Sequence, residues 1–156
     1  MNITVRKCKD EQIKRKEIVF ACEWFGGKLL GKRLCKNIIL DIHFEELGRY
    51  NGLISPIDYE YNPRMFEMTL NKGQDRPTIL KNIAHELVHL KQFARRELVD
   101  FDTREQPKYL GSVVSTANLD YWDYPWEIEA FGREIGLYTR YDEHIITKNL
   151  LKKLTS

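Results

Sequence analysis

Residues 82–92 read N-I-A-H-E-L-V-H-L-K-Q, and no other run restricts the architecture of this chain so tightly. Pro77 suits the first turn of a helix, and helical spacing continues to about Glu97. On a helical wheel, Ile79, Leu80, Ile83, Ala84, Leu87 and Leu90 fill one arc, while Thr78, Asn82, His85, His89 and Gln92 share the other. A helix divided in this way buries its apolar arc against a sheet and turns its histidines toward a cleft.

At about 100° per residue, His85 and His89 stand only about 40° apart, so their rings can converge on one ion. Glu86 lies about 100° from His85, too far round to join both rings as a ligand. That places it beside a metal-bound water, the position of the general base in an H-E-x-x-H helix. Two imidazoles need a third protein ligand, with one position left open. His43 and His144 are candidates without supporting context. The stretch Y-P-W-E-I-E-A-F-G-R-E-I-G-L-Y (124–138) carries Glu127, Glu129 and Glu134 on one predicted helix. Glu127 falls inside its apolar arc, flanked by Tyr124, Ile128, Phe131, Ile135 and Tyr138 on one side and by Ala130, Leu137 and Tyr141 on the other. A carboxylate on a buried face is costly unless it is paired or metal-bound, so Glu127 is the expected ligand. The plainer alternative is an acidic residue favoured by the helix N-terminus. Glu129 falls nearly opposite, beside Arg133, Gly136 and Arg140, and is expected in solvent. Glu134 is expected as a supporting partner. Two imidazoles with a carboxylate suit Zn²⁺.

The remaining sequence frames this helix. N-I-T-V-R-K-C suggests a first strand, and helical spacing runs from Asp10 to about Leu30. K-N-I-I-L-D-I-H-F (36–44) and the alternating R-M-F-E-M-T-L-N-K (64–72) read as strands, with turn signals in N-G-L-I-S-P-I-D between them. Leu98 to Asp123 reads as irregular, apart from a short element near Leu110–Val114. A helix from about Pro125 to Tyr141 follows, then a separate terminal helix. The expectation is an α+β fold forming a single domain over 1–156, with the sheet ahead of the motif helix. The composition, 42% hydrophobic and 31% charged, is that of an ordinary globular chain. A net charge of +2 gives no case for a nucleic-acid or membrane partner. Three cysteines without a C-x-x-C pair fit a reducing compartment, and the N-terminal run lacks an apolar signal segment, so the expected location is cytoplasmic.

H-E-L-V-H, followed some forty residues later by a helix carrying E-I-E-A, resembles the gluzincin group of zinc metallopeptidases, and the short chain is similar to minimal single-domain zincins and small zincin-like phage proteins. The resemblance covers residues 77–141 and implies a zincin-like fold, with a small mixed sheet packed on the active-site helix. It implies Zn²⁺ held by His85, His89 and Glu127, with Glu86 as general base in the hydrolysis of a peptide or protein substrate. It also implies that the strand 64–72 forms the rim of the cleft and pairs with an extended peptide. Tyr121 and Tyr124 are candidate donors to the oxyanion. Where this group often carries Asp or Asn after the alanine, the chain has Phe131, which removes the usual partner of a ligand histidine. Other readings are a zincin-fold metal-binding or regulatory module without turnover, a deformylase-like amidase, and a nucleic-acid-associated protease.

Overall fold

A computed structural model describes residues 1–8, 11–58, 60–99 and 106–154. Among these, three helices and a mixed four-stranded sheet make a small α+β arrangement. The strands are β1 (Asn2–Val5), β2 (Ile39–Glu45), β3 (Gly52–Pro56) and β4 (Met65–Asn71), in the order β1-β2-β4-β3. β2 runs parallel to β1 and β4, while β3 pairs antiparallel with β4 and forms one edge. The period-two pattern sets the register: Leu40, Ile42 and Phe44 lie beside Phe66, Met68 and Leu70, and all six side chains are fully buried. The opposite face is polar, and there His43 Nε2 meets Glu67 Oε1 at 3.1 Å.

Two helices cover the apolar face, and a third packs against them. α1 (Arg15–Cys35) begins and ends later than its periodicity suggests and bends at Gly31, whose φ is +76°. The bend leaves the carbonyls of Leu29 and Leu30 to accept hydrogen bonds from Arg95 Nη2, each at 3.2 Å. α2 (Arg76–Ala94) is the H-E-x-x-H helix. Asp75 caps it by accepting from the Thr78 backbone N–H at 2.9 Å, and Pro77 occupies its first turn. It stops at Ala94, short of Glu97, because Arg96 turns left-handed with φ +58°. Ile79, Leu80, Ile83, Ala84, Leu87 and Leu90 are all buried in the core, as the wheel requires.

Three expectations of the sequence need correction. N-G-L-I-S-P-I-D contains strand β3, because an edge position tolerates Pro56 and only one side of the strand must pair. The terminal segment is no separate helix: α3 runs unbroken from Pro125 to Leu154, with no glycine or proline after Gly136 to interrupt it. At its middle, Arg76 of α2 joins α1 and α3, binding Glu17 at 2.6 Å and Asp142 at 3.3 Å. The segment read as irregular holds a three-stranded sheet, β5 (Leu98–Val99), β6 (Lys108–Tyr109) and β7 (Ser112–Val113). Its β6–β7 hairpin turns through Leu110 and Gly111, both with positive φ (50° and 85°), the geometry of a two-residue primed turn. Among the described residues, no helix is long and apolar enough to cross a membrane.

Candidate metal centre

α2 and α3 cross so that His85, His89 and Glu127 face one another, all three buried. His85 Nε2 lies 3.1 Å from His89 Nε2. The carboxylate of Glu127 straddles the pair, with Oε2 at 3.4 Å from His85 Nε2 and Oε1 at 3.4 Å from His89 Nε2. Each imidazole thus has its own carboxylate oxygen at 3.4 Å, and the ligand atoms of the three side chains all lie within 4.8 Å of one another, close enough to hold one ion.

The hydrogen bonds around the imidazoles agree. Glu134 Oε2 lies 2.9 Å from His85 Nδ1, and Gln92 Oε1 lies 2.9 Å from His89 Nδ1. A carboxylate and an amide oxygen can only accept, so both Nδ1 atoms carry hydrogen. In the neutral rings, both Nε2 lone pairs then point at the same space, an unfavourable arrangement unless a cation lies between them. This donor set can hold a metal ion.

Electrostatics distinguish three groups of the site. Burial opposes the charge of Glu127, but hydrogen bonds from His85, His89 and Tyr121 outweigh it and hold the carboxyl at about 2. Burial likewise opposes a charged His85, yet hydrogen bonding to Glu127 and Glu134 lifts that imidazole to about 9 in the absence of metal. Glu86 is raised to about 7 by burial, with His89 and His85 partly countering the effect. Its carboxyl lies beneath β3, where Gly52 leaves it room: a Cβ at Gly52 would stand 2.7 Å from Glu86 Oε1 and 3.0 Å from Cγ. Tyr121, in a 3₁₀ turn (Tyr121–Asp123) just ahead of α3, donates from its hydroxyl to Glu127 Oε2 at 2.8 Å.

Two cavities flank this group and share Tyr50, Gly52, His85, Glu86 and Tyr121. One, of about 260 Å³, is lined further by Leu53, Ile54, Phe93, Leu98, Pro107 and Trp126. The other, of about 470 Å³, adds Arg49, Asn51, Asn82, Trp122, Phe131 and Glu134.

Other sequence candidates fall elsewhere. His43 sits on the far face of the sheet, and His144 stacks on Phe20 with centroids 6.3 Å apart. Tyr124 lines neither cavity. Glu129 was expected in solvent; instead it receives Lys91, Gln92, Tyr109 and Arg133. The wheel places it opposite Glu127, but the small sheet and the end of α2 enclose the first turns of α3 on that side as well. Ile128 and Ile135, expected inward, are 57% and 61% exposed, because α3 packs through its Ala130–Tyr141 flank. Phe131 lies edge-on to His85 at 4.5 Å, and Glu134, one turn further along, supplies the carboxylate that position 131 lacks. The expected rim strand 64–72 is interior, with both edges paired; β3 borders the cleft in its place. Sequence reading missed Gly52 and the part played by Gln92, whose i,i+3 spacing from His89 was the available signal.

No protein-family model, curated protein or solved structure matches this chain.

Proposed function

We propose that this protein is a zinc-dependent peptidase of the gluzincin type, with a zincin-like arrangement of sheet and helices. The observation that carries this reading is the convergence of His85, His89 and Glu127, with ligand atoms within 4.8 Å of one another, and Glu86 beside them lining two cavities. Zinc held by His85, His89 and Glu127 supplies a Lewis acid that polarises a carbonyl and acidifies water.

The protein's own groups perform the remaining steps. Glu86, buried beside His85 where both cavities meet, takes a proton from the attacking water and delivers it to the leaving amine. Tyr121 lines both cavities, and turning its hydroxyl away from Glu127, to which it donates at 2.8 Å, would free its one proton for the developing oxyanion. Glu134 and Gln92 hold the two imidazoles in the tautomer that leaves Nε2 bare. Among the described residues β3 pairs only with β4, so its outer edge offers backbone groups to an extended peptide lying along the cleft. The substrate is therefore an unfolded or loop segment.

The test is elemental analysis of the purified protein together with a screen of quenched fluorescent peptides, with and without a zinc chelator. Chelator-sensitive cleavage supports the reading. Zinc-loaded protein that cleaves no member of a broad library would overturn the peptidase assignment and leave a metal-binding module.

A further inference from the structure

Behind His89, Gln92 leads into a buried polar cluster whose other members the hydrolytic scheme does not use. Gln92 is fully buried. Its Oε1 faces His89 Nδ1 at 2.9 Å, and its Nε2 donates to the Trp126 carbonyl and to Glu129 Oε2, both at 3.0 Å. Glu129 Oε1 accepts from Lys91 Nζ at 2.6 Å and from Arg133 Nε at 2.7 Å, and its Oε2 also accepts from the Tyr109 hydroxyl at 3.0 Å. Lys91 is itself buried, and Glu97 Oε2 lies 2.5 Å from its ammonium, an ionic contact outside hydrogen-bonding geometry.

We infer that Glu129 is a positioning residue for the metal centre, acting through Gln92 to fix which nitrogen of His89 is left bare for the ion. A glutamine amide has two orientations, differing by half a turn, that fill the same space. In one, oxygen faces His89 Nδ1, which must then carry hydrogen, leaving the Nε2 lone pair directed at His85 and Glu127. In the other, the NH₂ faces Nδ1 and demands its lone pair, which forces hydrogen onto Nε2 and closes the site to metal. The Trp126 carbonyl and the Glu129 carboxylate are both acceptors on the far side of the amide, so only the first orientation satisfies every group. Because four donors converge on Glu129, it stays in the role of acceptor. Tyr109 brings the β6–β7 hairpin into the same set, so three separate elements of the chain decide the state of one ring.

This inference rests on the metal-centre reading but not on peptidase activity. The test is a double-mutant cycle on zinc affinity, measured by chelator competition with the full-length chain. Gln92→Leu should weaken zinc binding by about 10–100-fold, the range for partners of ligand histidines. Glu129→Ala should cost about tenfold alone but less than about twofold in the Gln92→Leu background, the non-additivity expected of groups acting in series. Equal losses in both backgrounds would overturn the inference, since Glu129 would then act by another route. Loss of Glu129 leaves Lys91 with a single counter-ion and can compromise folding. A second measurement on the unaltered zinc-loaded protein therefore reads the imidazole ¹⁵N shifts. Hydrogen on His89 Nδ1 with Nε2 metal-bound supports the assignment, and Nδ1 ligation overturns it. Unaltered protein that binds no zinc would remove both this inference and the metal-centre reading, whereas an additive cycle with tight zinc would remove only the former.

Discussion

Gly52 and Glu86 are in direct contact across the cleft, with the glycine Cα so close that an added methyl carbon would stand 2.7 Å from the glutamate oxygen. The edge strand and the proposed base therefore share one volume, and a side chain at position 52 must displace the carboxyl. Gly52→Ala should leave zinc content unchanged and lower peptide turnover by about 10²-fold, the cost of misplacing a reacting group by roughly an ångström. Gly27→Ala, where nothing lies within 4 Å, is the matched control and should change neither. Steady-state kinetics with parallel metal analysis checks the pair.

Glu86→Gln keeps the shape and removes the proton acceptor. Turnover should fall by about 10²–10⁴-fold while zinc stays bound. Rates close to those of the unaltered protein would assign the proton transfer to another group.

Glu127→Ala and Glu129→Ala separate ligand from support. Loss of Glu127 removes one of three ligand atoms and should reduce zinc affinity by more than about 100-fold, beyond the range typical of outer partners. Glu129→Ala should retain stoichiometric zinc at micromolar excess, with the smaller loss described above. Metal content after gel filtration distinguishes them, and equal retention would defeat Glu127 as a ligand.

Zinc uptake should release protons. In the metal-free protein, hydrogen bonds to Glu127 and Glu134 overcome the effect of burial and lift the His85 imidazole to about 9. A raised histidine value means that protonated His85 stabilises the metal-free fold fully below about 6.5 and loses that contribution as pH rises through about 9. The ion competes with this proton, so apparent zinc affinity should climb with pH and level off near 9. Calorimetry in buffers of different ionisation enthalpy measures the protons displaced. Affinity independent of pH between 6 and 8 would contradict the charged state assigned to His85.

The motif helix was legible from sequence because its information is local. The apolar arc of Ile79, Ile83, Leu87 and Leu90 and the imidazole pair are set by spacing alone, and Glu127 stood out as a carboxylate within an apolar arc. Strand β3 was not legible, since Gly52 and Pro56 carry the punctuation of a turn and only pairing with β4 makes them a strand. Glu129 was misplaced for a related reason. A helical wheel assumes one buried side, whereas Tyr109 and Lys91 arrive from elements that no local pattern connects to α3. The identity of the groups behind each imidazole, Glu134 for His85 and Gln92 for His89, likewise depends on how two distant helices cross.

The unbroken course of α3 also has a consequence for how the chain can vary. Glu127 at one end and Asp142 in the middle are fixed on the same rod, the second held by Arg76. Removing or adding one residue between them would rotate the carboxylate by about 100° against that anchor and swing it out of the space between the imidazoles. The interval thus works as a ruler: substitutions along it are tolerable wherever the surface permits, but its length is not negotiable.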